Sequence, residues 1–319
     1  MANGQQLMAD SQSQSLKLKS KYRMTRIIDG KEISSAIKTE IATEVKSLLD
    51  HGKPAPHLAV IIAGEDGAAL SYVNSIEKQC KGVGYICSAY KFPANVSEKD
   101  FLATIDFLNR DDEVDGYIIQ MPLPKQVSMD KVVAHVDPKK DMDCFHPINM
   151  GNLLLGNECY APATPYGVME LLRRGGVETS GKNCVIIGRS NIVGKPLAMM
   201  LLQKDANATV TVCHSRTENL PQVCRRADIL IVAIGKPEMI TADYVKEQAT
   251  VIDVGIHRIP DESQPKGYKV CGDVKFDDVA PHCEAITPVP GGVGSMTMAC
   301  LLLNTMKAYK AKAKAKSEL

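Results

Sequence analysis

Residues 184–196 combine features that bind dinucleotides in other proteins. Four apolar residues typical of a buried strand end at Gly188, and Gly194 opens a segment with helical spacing. Glycine lets the backbone approach a diphosphate closely, and a helix N-terminus offers free N–H groups at the positive end of its dipole. Because the spacing differs from GxGxxG, this turn by itself is a weak signal of a dinucleotide site.

The end of the following strand indicates which dinucleotide would bind. There the chain carries His214, Ser215 and Arg216, close to where an NAD-specific enzyme places an acidic residue on the ribose 2′-hydroxyl. A guanidinium and a hydroxyl suit a 2′-phosphate instead, and Arg189 is a second candidate cation. We therefore favour NADP over NAD, although surface arginines beside an ordinary α/β strand would give the same pattern.

Three further loops contain glycine: the first two follow predicted strands, and the third precedes the final predicted helix. They span residues 233–237, 253–256 and 287–294, and the last is rich in proline and glycine. Ligands of open α/β sheets bind at the carboxyl ends of the strands. Each loop alone is explained equally well as a turn, but their recurrence at successive strand ends favours one shared ligand site.

These loops require strands that alternate with helices, and the hydrophobic pattern predicts that alternation. Short apolar runs are typical of buried parallel strands, and 3.6-residue spacing is typical of helices. The predicted strands are 58–63, 85–90, 116–120, 183–187, 209–213, 229–234 and 251–254, and the predicted helices are 33–49, 69–83, 98–108, 166–174, 194–203 and 220–227. The fold class is therefore α/β, with two doubly wound units that meet near 145–165, where turn-forming residues cluster.

Composition argues against several classes of protein. Lys and Arg total 38 and Asp and Glu total 37, and a net charge of +1 gives no support for nucleic-acid or membrane-surface binding. No apolar run approaches the roughly 18 residues of a membrane span. The 10 cysteines are scattered without CxxC or Cys/His metal spacing. We therefore predict no metal site, and reduced thiols in a cytoplasmic protein.

Five motifs together resemble the bifunctional methylenetetrahydrofolate dehydrogenase/cyclohydrolase family. They appear in the family's order over about residues 24–308: AGEDGAALSYV (63–73), GYIIQMPLPKQV (116–127), KKDMDCFHPINMG (139–151), GRSNIVGKP (188–196) and ITPVPGGVG (286–294). The resemblance implies tetrahydrofolate derivatives as substrates, NADP as cofactor, a folate cleft between two domains, and a homodimer joined through the nucleotide domains.

The resemblance also implies the domain boundaries. An N-terminal catalytic domain that binds folate would span 24–165, and a Rossmann domain that binds NADP would span 166–297. A C-terminal helix, 298–319, would return to the first domain and end in a frayed tail. Residues 1–23 are polar and lack a secretory signal's apolar core, so we expect a disordered extension.

Individual roles follow from the same resemblance. Tyr72 would stack on the aminobenzoyl ring of the folate, Gln120 would lie beside the reacting carbon, and Asp143 would hold the pterin. These residue types suit a planar ligand with ring N–H groups. The remaining implied residues are Pro290, Gly291 and Gly292 along the folate, and Gly188, Arg189, Ser190, Gly194, Ser215, Arg216, Gly235 and Ile256 along NADP.

One position departs from the family's pattern at a chemically important place. The family's helix reads Tyr-Val-x-x-Lys, and Ile76 stands where that catalytic lysine belongs, since Tyr72 and Gly84 both keep register. Lys78 lies about 200° farther round the helix, so it should point away. Hydrolysis of the methenyl product needs a group that removes a proton from water, and isoleucine has none. We predict NADP-dependent oxidation of 5,10-methylenetetrahydrofolate with impaired cyclohydrolase activity.

Two alternatives remain open at the level of sequence. A catalytically silent homologue, which binds folate and NADP as a dimeric or regulatory partner, is favoured by Ile76, by Cys144 at a family glycine and by Ser295 at a family proline. The intact Gln120 and Asp143 argue against it. A different two-domain Rossmann dehydrogenase, such as a shikimate-type enzyme, is disfavoured by the PVPGGVG motif.

Overall fold

A computed structural model describes residues 25–64, 66–264 and 267–317 of the 319-residue chain. The predicted extension at 1–23 lies outside the described residues. The chain divides into two compact units, each assembled from two separate stretches. Within the described residues, the large-sheet unit comprises 25–34 and 164–297, and the small-sheet unit comprises 35–163 and 298–317.

Strands and helices alternate along most of the described chain. In chain order they are β1 (Arg26–Ile27), α1 (Gly30–Asp50), β2 (His57–Ala63), α2 (Gly67–Val83), β3 (Ile86–Phe92), α3 (Glu98–Arg110), β4 (Gly116–Ile119), α4 (Met129–His135), α5 (Pro147–Leu155), α6 (Ala163–Arg174), β5 (Asn183–Ile187), α7 (Gly194–Leu201), β6 (Thr209–Cys213), α8 (Leu220–Cys224), β7 (Ile229–Val232), β8 (Ala249–Asp253), β9 (His257–Pro260), β10 (Tyr268–Cys271), α9 (Phe276–Val279), β11 (Cys283–Ile286) and α10 (Thr297–Ser317). Three 3₁₀ turns lie at Ala242–Tyr244, Ala280–His282 and Val293–Ser295.

The small-sheet unit is built on a parallel sheet of order β3-β2-β4. Its central strand β2 is apolar along nearly its whole length because helices cover both faces of a parallel sheet. On one face, Ala59 and Ile61 pack in a cluster with Phe101 and Ile105 of α3 and Val132 of α4.

The C-terminal helix α10 belongs to this unit, as the fold prediction required. The Tyr85 hydroxyl donates to the Leu302 carbonyl at 3.0 Å, and the Asn304 amide donates to the carbonyls of Met142 and Ala161 at 2.9 and 2.8 Å. Lys310 of α10 also forms an ion pair with Glu44 of α1 at 2.7 Å. The helix continues through the lysine-rich segment as far as Ser317.

The large-sheet unit contains a parallel sheet of order β1-β11-β8-β7-β5-β6. The chain runs outward from β5 to β6 and then back across β5 to β7. This reversal is a topological switch point, and it opens a crevice at the carboxyl ends of β5 and β7. An antiparallel hairpin, β9–β10, leaves the sheet after β8 and returns before β11.

The predicted α/β class with two parallel sheets is confirmed, and the differences are local. Residues near 145–165 were predicted as a turn-rich junction, but they contain α5, which begins with Pro147 in its first turn and is capped by the ring of His146. Proline suits that position because its missing N–H has no partner there in any case. The β9–β10 hairpin was not predicted. All 10 cysteines are free, and each helix in the described ranges is too short or too polar to cross a bilayer.

Candidate active site

The turn between β5 and α7 requires glycine for reasons of packing within the chain. Gly188 has φ +135°, its N–H donates to the Cys213 carbonyl at 2.9 Å, and a Cβ there would lie 2.2 Å from the Ala233 oxygen. Gly194 in turn meets the Gly188 oxygen, 2.1 Å from where its Cβ would be. The turn is therefore wedged between the ends of β6 and β7, at the switch point of the sheet.

Cationic and hydroxyl groups leave the same edge of the sheet. Arg189 and Ser190 follow β5, Ser215 and Arg216 follow β6, and all four residues are exposed. The Arg216 N–H donates to Nδ1 of His214 at 3.2 Å, which shapes the turn after β6. Two guanidinium groups beside a glycine turn fit a dinucleotide that carries a 2′-phosphate.

The predicted cofactor residues Gly235 and Ile256 follow β7 and β8 on that edge. Gly235 has φ +69° and open space where a Cβ would be, and Ile256 is 64% exposed. Behind them lie Asp253 and Asp273, two buried carboxylates that the sequence analysis did not single out. Burial, together with the charge of Asp273, raises the pKa of Asp253 to about 7.

The predicted folate loop around Pro290 lies in the same unit. Pro290 is exposed, whereas Gly292 is buried and packs against Gly30. A Cβ added to Gly30 would lie 2.2 Å from the Gly292 carbonyl oxygen. Ser295, where the resemblance implies a proline, donates its backbone N–H to that same oxygen at 3.0 Å. A proline has no N–H to donate, so the substitution adds one hydrogen bond to the loop.

The other predicted folate residues belong to the small-sheet unit. Tyr72 lies on α2, whose N-terminus is capped by Asp66 and whose C-terminus is closed by Gly84 in the left-handed conformation. The Tyr72 side chain is 40% exposed. Partial burial and the negative charge of Asp143 raise the pKa of the Tyr72 hydroxyl, so Tyr72 and Asp143 share one environment.

Asp143 reaches the end of β4 because the chain before it pairs with that strand. The backbone N–H of Tyr117 donates to the Lys140 carbonyl at 2.9 Å, and the Tyr117 carbonyl accepts the N–H of Met142 at 3.3 Å. Burial and the nearby charge of Asp141 raise the pKa of Asp143 to about 7, against the opposing effect of the Ile119 N–H.

Gln120 follows directly after β4. Its N–H donates to the Ile61 carbonyl at 2.8 Å, which ties it to the end of the central strand β2. The residue before it, Ile119, lies close enough to Asp143 that its backbone N–H favours the charged form and lowers the pKa of that carboxyl. Gln120 and Asp143 therefore both lie near the carboxyl end of β4, and the charge of Asp143 reaches Tyr72.

Ile76, one helical turn after Tyr72, is completely buried. It lies on the same face of α2 as Val73 and Cys80, both also at 0% exposure, whereas Lys78 is exposed. This is the orientation expected from helix geometry, because two residues correspond to about 200° of rotation. The position at which the resemblance implies a lysine is thus part of an apolar core.

Cys144, where the resemblance implies a glycine, has a strained backbone conformation. Its φ is +58°, in the left-handed region, and its buried thiol donates to the Tyr160 carbonyl at 3.2 Å. The thiol is therefore directed to that carbonyl, and burial raises its pKa.

Two family models match the chain. Residues 28–143 match the catalytic domain of tetrahydrofolate dehydrogenase/cyclohydrolase, and residues 162–313 match the NAD(P)-binding domain of the same family. The fold of two parallel sheets and the glycine turn at the switch point agree with a two-domain dehydrogenase of this class.

Relatives and solved structures lead to the same family. A bifunctional protein FolD of Bacteroides fragilis is 52% identical over 286 residues, which are 89% of this chain and 98% of that protein. The crystal structure of the bifunctional FolD of Campylobacter jejuni superposes with a TM-score of 0.84 at 43% identity, over 90% of this chain and 99% of that one. A Trypanosoma brucei dehydrogenase–cyclohydrolase, solved with NADP and an inhibitor, gives 0.83 at 35% identity, over 91% and 98%. This chain belongs to the tetrahydrofolate dehydrogenase/cyclohydrolase family and carries its NAD(P)-binding domain.

Proposed function

We propose that this protein oxidises 5,10-methylenetetrahydrofolate to 5,10-methenyltetrahydrofolate with NADP⁺ and hydrolyses the product only slowly. The observation that carries the proposal is a contrast within one unit. Tyr72, Gln120 and Asp143 are all present, whereas Ile76 fills the lysine position with a buried aliphatic side chain. The groups that bind folate are therefore kept, and the group that moves protons is not.

The edge of the large sheet would hold the cofactor. Gly188 and Gly194 would border the diphosphate, and Arg189, Ser215 and Arg216 would bind the 2′-phosphate. When bound, NADP⁺ accepts the hydride that leaves the methylene carbon of the folate. The exposure of these three polar side chains supports this role, since they are available to a ligand.

The small-sheet unit would hold and orient the folate. Tyr72 offers a partly exposed aromatic face to the aminobenzoyl ring. Asp143 would bind the ring N–H and amino groups of the pterin, and its raised pKa makes it neutral below about pH 7 and charged above. Oxidation depends mainly on the placement of the reacting carbons, so the loss of a proton-transfer group affects this step less than hydrolysis.

Hydrolysis makes a different demand. Water adds to the methenyl carbon, and a proton must then leave that water before the ring opens to 10-formyltetrahydrofolate. Ile76 has no exchangeable proton, and Lys78 is exposed on another face of the helix. Loss of a general acid–base group slows a reaction by ~10²–10⁴-fold, which corresponds to roughly 3–5 kcal/mol of barrier.

The test is a spectrophotometric time course with 5,10-methylenetetrahydrofolate and NADP⁺. It follows NADPH and the methenyl product together, after correction for spontaneous hydrolysis in buffer. Wild-type protein is compared with Ile76→Lys, which restores an amine, and with Ile76→Met, which keeps an apolar side chain of similar volume. We expect methenyl to accumulate with wild-type and Ile76→Met proteins, and Ile76→Lys to clear it at least 10²-fold faster.

Two results would contradict the proposal in different ways. Wild-type protein that clears methenyl as fast as it forms NADPH would show that cyclohydrolase activity survives Ile76. Binding of NADP⁺ and folate without any NADPH formation by either protein would favour the silent homologue instead.

We also propose a homodimer formed through the large-sheet units, in a reducing compartment such as the cytoplasm. Strand β6 is one of the two edges of the large sheet, and Thr209, Thr211 and Val212 on it are exposed. An unpaired edge of this kind is available to a second strand. The free state of all 10 cysteines supports a reducing environment. Sedimentation equilibrium of wild-type protein and of Val212→Lys tests the dimer: we expect a twofold mass for the first and a shift toward monomer for the second.

A further inference from the structure

Asp273 gathers the loop that follows β7. One carboxylate oxygen accepts the N–H groups of Ile234 and Gly235 at 2.7 and 3.0 Å, and the other accepts the N–H of Lys236 at 2.8 Å. Successive backbone N–H groups that converge in this way form a concavity that binds anions. In this chain the anion is the protein's own carboxylate, which is completely buried. These three N–H groups are therefore already satisfied and do not serve a phosphate of the cofactor.

The same carboxylate also fixes the segment that follows β8. Its second oxygen accepts a hydrogen bond from Nε2 of His257 at 2.7 Å. A Cβ on Gly255 would lie 2.4 Å from the Asp273 Cγ, so the carboxylate rests directly on that glycine. Ile256, between these two contacts, is 64% exposed. Its side chain is thus presented outward from a backbone held on both sides.

Asp253 supports Asp273 in a reciprocal arrangement. Its carboxylate accepts the N–H groups of Asp273 and Gly255, both at 3.0 Å, and that of Val274 at 2.9 Å. A Cβ on Gly272 would lie 1.9 Å from the Asp253 oxygen. Asp273 therefore packs against Gly255, and Asp253 packs against Gly272. Together the two carboxylates connect the carboxyl ends of β7 and β8 to the chain that returns from the β9–β10 hairpin.

We propose that Asp273 is a positioning residue for the dinucleotide: it holds the 234–236 loop and Ile256 in the arrangement that receives the cofactor, and His257 completes this function. The inference rests on the proposed cofactor roles of Gly235 and Ile256. In this proposal Gly235 and Ile256 determine the shape of the cofactor site and do not donate hydrogen bonds to phosphate. The buried carboxylate of Asp273 sets their positions.

Replacement of Asp273 by asparagine changes some of these favourable hydrogen bonds into unfavourable contacts between two donors. One carboxylate oxygen becomes an NH₂ group, which faces N–H donors instead of accepting from them. The loops then spend less time in the arrangement that receives the cofactor. The apparent dissociation constant rises in inverse proportion to that fraction, so a competent fraction of one tenth weakens binding tenfold.

The experiment compares wild-type protein with Asp273→Asn, His257→Leu and His257→Gln. NADPH binding is measured by fluorescence titration, and KM for NADP⁺ and for folate is measured separately from kcat. We expect Asp273→Asn and His257→Leu to raise the NADPH dissociation constant and the KM for NADP⁺ at least tenfold, with the KM for folate within twofold. His257→Gln keeps a side-chain donor and should recover most of the affinity.

Asp228→Asn is the matched control. Asp228 accepts the Asn183 N–H at 2.9 Å, but at the amino end of the same sheet. It should lower stability and leave the NADPH dissociation constant unchanged. The proposal is overturned if Asp273→Asn binds NADPH as the wild type does, or if Asp228→Asn weakens binding equally. If Asp273→Asn does not fold, the His257 pair decides by the same criterion. Wild-type protein that binds no NADPH would overturn the cofactor proposal itself.

Discussion

Asp253→Asn gives a sharp test of how a buried carboxylate sets the stability of the large-sheet unit. Asp253 is 3% exposed and accepts three backbone N–H groups at 2.9–3.0 Å, and its pKa is nevertheless raised to about 7. Burial penalises the charged form by more than these hydrogen bonds favour it, and the adjacent charge of Asp273 adds to the penalty.

The sign of the pH dependence follows from proton binding. An unfolded aspartate has a pKa of about 3.9, so between about pH 4 and pH 7 the folded state keeps a proton that the unfolded state has released. Stability from Asp253 is fully present below pH 4 and is lost as pH rises through 7. Each pKa unit corresponds to about 1.4 kcal/mol, and about three units give roughly 4 kcal/mol as the upper limit of the loss.

Asparagine removes that dependence because it is uncharged at every pH. Its NH₂ group also faces a backbone N–H, which costs about 1–3 kcal/mol in unfolding free energy. We expect Asp253→Asn to be less stable than wild type at pH 5, and the gap to close or reverse by pH 8. The measurement is urea unfolding followed by circular dichroism at pH 5, 6, 7 and 8.

Asp228→Asn serves here as a control of opposite sign. Its hydrogen bonds with Lys246 and the Asn183 N–H lower the pKa of Asp228, so its contribution is lost only as pH falls below about 4. The difference between this variant and wild type should stay constant from pH 5 to pH 8. Unfolding curves of Asp253→Asn that also run parallel to wild type over this range would refute the reasoning.

Three further perturbations give separate expectations. Arg216→Ala should raise KM for NADP⁺ at least tenfold and leave KM for NAD⁺ nearly unchanged in steady-state assays, because a charge-assisted bond to the 2′-phosphate is lost. Gly188→Ala would place a Cβ 2.2 Å from the Ala233 oxygen, and it should lower the unfolding free energy by at least about 2 kcal/mol and abolish NADPH binding. Lys312→Ala leaves Asp115, whose side chain is 1% exposed, without its cation; because Lys312 is partly exposed, we expect a loss of about 1–3 kcal/mol by chemical denaturation.

Each of these has a matched control in the chain. Arg226→Ala removes an exposed guanidinium before the amino end of β7 and should leave both KM values unchanged. Gly181→Ala meets only the strain of φ +71° in open space, about 1 kcal/mol. Lys316→Ala removes an exposed lysine and should alter stability by less than about 0.5 kcal/mol. Equal effects of a variant and its control would contradict the corresponding expectation.

Most of the parallel strands and most helices could be predicted because their signals are local, whereas the short strands β1 and β11 were not predicted. The strands at 183–187 and 209–213 were predicted with the bounds that the structure shows. Both are short runs of β-branched or apolar residues with turn formers after them. The helix α5 was missed because its asparagine and glycine indicate turns, while the proline and histidine that begin it carry the opposite signal.

The site was only partly accessible from sequence. The glycine turn at 188–194 and the cations after β5 and β6 were found from spacing, because they follow directly from strand ends. Asp273 was missed because its partners are 16 to 39 residues away along the chain. Only the return of the β9–β10 hairpin places its carboxylate under the 234–236 loop. A contact of that kind has no periodic signature.

The division of each unit into two separate stretches has a consequence for synthesis on the ribosome. Translation yields β2, β3 and β4 long before α10, which supplies Asn304 and its bonds to the carbonyls of Met142 and Ala161. In the large sheet, β1 is made first but pairs with β11, the strand made last. Each unit therefore lacks part of its structure until the C-terminal part of the chain has been made. We expect folding of either unit to be completed only after residues 283–317 leave the exit tunnel. Nascent chains arrested before that point should remain susceptible to protease in both units.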